Sequence, residues 1–131
     1  MGMEFPPGYE HGVDRATWID EATGLKCSAK RILDLRHWCG YVDYRPRTGG
    51  QVREEDPSIN VHGGVTFVAG FSVMTVGFDC GHSGDWSNTA AWHRSAFPGQ
   101  VGDTSGTYRT LEFVKAECAK LAKQLKDLEK I

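Results

Sequence analysis

The segment NVHGGVTFVAGFSVMTVGFDCGHSGD, Asn60 to Asp85, concentrates residues able to do chemistry. It sets His62, Asp79, His82 and Asp85 among glycines and residues of strong strand preference. Imidazoles beside carboxylates suit general acid–base work, because the carboxylate fixes the tautomer and the aim of the ring. Asp79, His82 and Asp85 recur at three-residue steps in a glycine-broken turn. Two carboxylates and an imidazole in one tight loop also suit a divalent cation by ligand type. With His62 added, two histidines and two carboxylates make a candidate metal set with open positions, able to activate water. Without metal, His62 and His82 could serve as base and acid in phosphodiester or acyl hydrolysis. The same turn could equally cap and hydrogen-bond itself, with no chemistry at all.

A hairpin has to position these residues. A two-residue turn with glycine first is a type II′ signal, and Gly70–Phe71 fits it. Counting outward pairs Val68 with Val73, Thr66 with Thr75, Gly64 with Gly77 and His62 with Asp79. Side chains alternate along a strand, so Val65, Phe67, Met74, Val76 and Phe78 share a core face. The opposite face would carry His62, Thr66, Thr75 and Asp79 over a bare Gly64–Gly77 pair. Opposed glycines weaken a sheet unless another backbone or a ligand packs on them. Gly64, Thr66, Thr75 and Gly77 are therefore the expected floor of a substrate site. On this register His62 and Asp79 are cross-strand neighbours, with Cβ atoms about 5 Å apart. A slip of one residue would send them to different faces. Cys80 falls on the core side as a structural residue, with a reactive thiol in the glycine turn as the alternative.

Other polar candidates stand outside this segment. His37 and His93 adjoin Trp38 and Trp92, where a histidine is more often half-buried packing. Arg31, Arg36 and Arg94 could meet phosphate or carboxylate, and Arg94 is the one assigned here to substrate binding. Trp38, Tyr41, Tyr44 and Trp92 suit either base stacking or the core.

The elements around the segment follow from local pattern. Residues 1–15, rich in Pro, Gly and charge, read as an irregular arm. Trp18 and Ile19 lead into the turn DEATG, where Gly24 supplies the positive φ. In LKCSAKRI, Leu25, Cys27 and Ala29 alternate against Lys26, Ser28 and Lys30, as in a half-buried strand. RHWCGYVDYRP is an aromatic-rich strand ended by Pro46. Residues 45–59 and 86–106 read as long loops, expected to wall the site. From about Thr110 to 130, Leu111, Val114, Cys118, Leu121, Leu125 and Leu128 make one apolar stripe on a helix. That stripe packs on a sheet, or, since it also fits a heptad, serves a homodimer.

The chain has 131 residues, with 15 basic against 17 acidic, a net charge of −2. That length suits one domain spanning 1–131. The balance gives no pull toward bulk nucleic acid or anionic membrane, although Lys26, Lys30, Arg31 and Arg36 cluster locally. No apolar run is long enough for a membrane span, and the first residues lack the pattern of a signal peptide. The expected setting is therefore cytoplasmic. The four cysteines include no CxxC pair, which argues against a zinc ribbon or a thioredoxin-like site and for free thiols.

WCGYV, VHGGVTF, GFDCGHSGD and the late helix FVKAECAKLAKQL, in that order, resemble a family of small uncharacterised phage and prophage proteins. The likeness runs from about Leu25 to Leu125. The family's Gly-His-Pro segment after the CGYV strand has no counterpart in DYRPRTGGQVREEDPSI. The resemblance implies a phage protein in a host cytoplasm, acting against host defence through a nucleotide signal or a defence protein. The expected fold is α+β, a mostly antiparallel sheet of about four to six strands against a long C-terminal helix. The expected function is a small hydrolase, a phosphodiesterase acting on a nucleotide, with a divalent metal ion as the candidate cofactor. His62 would be its base and Asp79 the orienting carboxylate, with His82 and Asp85 as an acid or metal pair. The alternatives are a nucleotide-binding module without turnover and a protein that blocks a host enzyme.

Overall fold

A computed structural model describes residues 5–33, 35–82, 84–87 and 106–129. Five antiparallel strands form one sheet: β1 (Arg15–Ile19), β2 (Lys26–Arg31), β3 (Trp38–Tyr44), β4 (Phe67–Gly70) and β5 (Met74–Asp79). Their order across the sheet is β1-β2-β3-β5-β4. One helix, α1 (Leu111–Lys126), packs against β2 and β3. The fold is the expected α+β arrangement of a sheet and a C-terminal helix.

Local chemistry explains the first hairpin. Asp20 accepts from the Thr23 backbone N–H at 3.1 Å and from its hydroxyl at 2.6 Å, which tightens the turn between β1 and β2. Gly24 takes φ +74°, as the turn pattern predicts. Along β2, Cys27, Ala29 and Arg31 point to the buried face, against Trp38, Gly40 and Val42 of β3. Met74, Val76 and Phe78 continue that face on β5. Gly40 is required there: a Cβ would meet Phe78 Cζ at 2.5 Å and Cys118 Sγ at 3.0 Å.

α1 begins at Thr110, whose hydroxyl accepts the Phe113 N–H at 3.2 Å. Its apolar stripe is buried through Val114, Cys118, Leu121, Ala122 and Leu125. Burying each large aliphatic side chain contributes about 1.5–3 kcal/mol. The stripe is thus used within the chain. All four cysteines are free and buried. Burial pushes the Cys39 thiol up to about 11 and raises that of Cys80 further, so Cys80 is a core residue. The neighbouring Cys27 thiol and burial both raise the Cys118 pKa and hold its proton firmly.

Residues 5–15 of the N-terminal arm are tied to the core more firmly than their composition predicts. Glu10 accepts the Tyr108 hydroxyl at 2.6 Å and the Leu111 N–H at 2.6 Å, capping α1 from outside. Its carboxylate also lies 3.3 Å from Arg31, which is buried between the rings of Tyr9 and Trp38. Burial pushes the Glu10 carboxyl up, but the bonds from Tyr108 and Leu111 outweigh it and hold the pKa below the usual value.

The second hairpin corrects the expected register. Phe67 pairs with Gly77, Val68 with Val76, Ala69 with Thr75 and Gly70 with Met74. The turn is therefore Phe71–Ser72–Val73, three residues rather than two. Gly77 faces Phe67 instead of Gly64, a shift of three positions. An odd shift exchanges the faces of one strand. Met74, Val76 and Phe78 keep the core face, but Phe67 lies on the outer face and Val68 packs inward.

Candidate functional site

The site forms where β5 leaves the sheet. Cys80 N–H donates to Trp38 C=O at 2.9 Å, holding the strand end in place. Asp79 Oδ1 accepts Gly81 N–H at 2.9 Å and lies 3.2 Å from His82 Nε2. That second approach is within ion-pair reach but off the line of a hydrogen bond. Asp85 folds back, its N–H donating to His82 C=O at 2.9 Å. His82 N–H in turn donates to Asp85 Oδ2 at 3.2 Å. A parallel bridge joins Asp85 to Thr107 and draws in Arg109, whose Nε donates to Asp85 Oδ1 at 2.8 Å.

His62 arrives from the opposite side, positioned by α1. Its N–H donates to Glu117 Oε1 at 2.8 Å, and Asn60 N–H donates to Gln124 Oε1 at 2.8 Å. The turn closes with Gly64 N–H on Val61 C=O at 2.9 Å, and Gly63 and Gly64 take φ +69° and +80°. Gly63 lies flat on His82, where any Cβ would overlap the Cδ2–Nε2 edge of the ring. His62 stands edge-on to Phe113, with centroids 5.1 Å apart. Its Nε2 lies 2.7 Å from Asp85 Oδ2, and its ring centroid is 6.4 Å from that of His82.

Asp85 is the electrostatic centre. Its side chain is only 1% exposed. Burial pushes the carboxyl up, but Arg109 and His62 outweigh that and hold it below the usual carboxylate range. With Asp85 taking Nε2–H of His62, Nδ1 becomes the lone-pair nitrogen of the ring. His37 packs behind the loop: a Cβ on Gly81 would meet its Cε1 at 2.6 Å. Burial lowers the His37 pKa and favours its neutral form.

The four expected residues do converge, with partners exchanged. His62 pairs with Asp85 rather than Asp79, and His82 takes Asp79. The predicted floor does not form. Gly77 is covered by Tyr41, whose Cδ1 would be 2.6 Å from a Cβ there. Thr75 donates to Asp43 at 2.6 Å on the outer face of the sheet. Thr66 only carries the ladder onward, its N–H donating to Gly77 C=O at 2.9 Å. Gly64 serves the turn. Loop 45–59 is tied to the core by Tyr44, whose hydroxyl donates to Gly50 C=O and accepts Val52 N–H. Arg94, Trp92, His93 and most of 86–106 lie outside the described residues.

Arg109, Glu117 and Phe113 are site residues that the sequence reading does not find. Arg109 stands two residues after Thr107, and Glu117 lies on the helix face adjoining the buried stripe; neither carries a local motif. The expected two-histidine, two-carboxylate metal set is not assembled, because the donors are engaged in separate pairs. Among the described residues, no three His, Cys, Asp or Glu side chains are grouped to hold a metal ion. Among them, too, no helix is long and apolar enough to cross a membrane. No protein-family model, no curated protein and no solved structure matches the chain.

Proposed function

We propose that this chain is a small hydrolase that cleaves a nucleotide phosphodiester by general acid–base chemistry. One observation carries the reading: His62 reaches across 23 positions to Asp85, in the turn that holds the His82–Asp79 pair, and the two imidazole centroids come 6.4 Å apart. That spacing lets both rings reach one phosphoryl group. His62 Nδ1 takes a proton from water as the water oxygen bonds to phosphorus. His82, in its protonated form, gives a proton to the ester oxygen as the P–O bond breaks. Asp85 and Asp79 are positioning residues, and Arg109 fixes Asp85 in turn. The host-defence setting implied by the phage resemblance would make the substrate a nucleotide signal.

A binding module without turnover is the second reading. It is favoured by the 2.8 Å bond from Arg109, which neutralises the carboxylate beside His62. The two separate on a panel of nucleotides and dinucleotides followed by mass spectrometry. The hydrolase reading expects products from the native chain, and losses on the order of a hundredfold or more in His62→Ala and His82→Ala. Recovery of every compound unchanged, with one of them retained by the protein, would establish the binding module instead.

A further inference from the structure

The outer face of the sheet carries a row of side chains over which, among the described residues, no helix lies. Pairing places Thr17, Ser28, Tyr41, Gly77 and Phe67 across all five strands in one line. Tyr41 and Phe67 meet edge to face, with centroids 5.6 Å apart, and Phe67 is 43% exposed. The neighbouring line runs Arg15, Lys30, Cys39 and Asp79. Asp79 is the partner of His82 and stands two residues from Gly77 on the same face, about 7 Å along the strand. Lys30 and Arg15 stand in that line two and three strands from Asp79, roughly 10 and 14 Å across the sheet, and Thr17 and Ser28 keep the aromatic line polar at its β1–β2 end.

A planar aromatic ligand with an anionic group about 7 Å away would match this layout, the ring on Phe67 and Tyr41 and the anion beside His82. A face this polar and charged does not suit an apolar protein partner, whose interface core is depleted in charge. We infer that Tyr41 and Phe67 form the base-stacking subsite of the same centre, and that its substrate class is a small nucleoside phosphodiester such as a dinucleotide. The inference rests on the proposed function for the position of the phosphodiester. Thr75 and Asp43, hydrogen-bonded to each other on this face, flank the aromatic pair on the side away from Asp79. Aromatic stacking tolerates any base, so the subsite would select for a nucleoside without reading its identity.

The test uses the His62→Ala chain, in which the proposed base is absent so that ligand is not turned over, titrated with the dinucleotide ApA, with inorganic phosphate and with a ten-nucleotide single strand. Phe67 lies exposed on an edge strand, so Phe67→Ala should keep the fold, as circular dichroism can verify. In the His62→Ala background, Phe67→Ala should weaken ApA about tenfold or more and leave phosphate unchanged, while Phe67→Tyr should restore ApA. Equal ApA affinity with and without Phe67, or no ApA binding at all, would overturn the subsite. Affinity that climbs with strand length would overturn the choice of a small nucleotide. The outcomes for the two proposals separate. Binding of ApA that depends on Phe67, without turnover by the native chain, sinks the hydrolase and keeps the subsite. Turnover that depends on His62, with KM indifferent to Phe67, does the reverse.

Discussion

Asp85 Oδ2 lies 2.7 Å from His62 Nε2 although 23 positions of chain separate the two residues. The contact joins a loop held on α1 to a loop held on the end of β5. An imidazole so held carries its lone pair on Nδ1, the nitrogen that Asp85 does not engage.

Asp85→Asn replaces an oxygen that accepts with an amide that can donate, which favours the wrong tautomer of His62. On the proposed hydrolase reading, kcat should fall by two to four orders of magnitude, on the scale of general-base catalysis. Asp79→Asn should cost less, because His82 is not aligned on Asp79 for a hydrogen bond. Steady-state kcat for both variants on one nucleotide substrate checks the ranking, and an equal loss in the two would contradict it.

Stability should fall in acid, and Asp85 should account for part of the decline. Its folded pKa lies below the ordinary value, so the unfolded chain takes up the proton first as pH drops. The stabilisation is full above about pH 4 and is lost as pH falls through the folded pKa. Glu10, also lowered, works in the same direction. Urea midpoints between pH 7 and pH 3 should show the decline, and Asp85→Asn should lessen it.

Glu10→Ala should destabilise the chain by about 3 kcal/mol, the order seen when one partner of a buried ion pair is removed. It leaves Arg31 without its nearest carboxylate and the first N–H of α1 without an acceptor. Urea denaturation measures the loss. A change under ~0.5 kcal/mol, as at ordinary surface sites, would mean that the arm does not hold the helix.

Gly40→Ala should destabilise the core by about 1–3 kcal/mol through overpacking. The added methyl would meet Phe78 at 2.5 Å and Cys118 at 3.0 Å. Pairing it with Phe78→Leu should restore part of the loss, which a double-mutant cycle in thermal unfolding would resolve.

Where local pattern decides structure, the sequence was readable. The turn at Gly24, the alternation of Leu25, Cys27 and Ala29, and the stripe from Val114 to Leu125 all stand where period and turn chemistry place them. The hairpin register was not readable, because Gly70 suits a two-residue or a three-residue turn equally well and only the pairing with β3 decides. Three residues of shift exposed Phe67 and removed the glycine floor. His62, His82, Asp79 and Asp85 were legible as reactive types, but their pairing depended on tertiary anchors. Glu117 holds His62 across 55 positions, and Glu10 reaches Leu111 across 101. No local window contains such contacts.

The anchoring of His62 by Glu117 and of Asp85 by Arg109 has a consequence for the order in which the chain gains competence. Both anchors lie in the last part of the sequence, after every strand. Without α1 in place, His62 lacks the Glu117 contact that holds its loop, and Asp85 lacks Arg109 from the segment leading into that helix. Under the proposed chemistry, a sheet that has formed without a docked α1 holds no competent site.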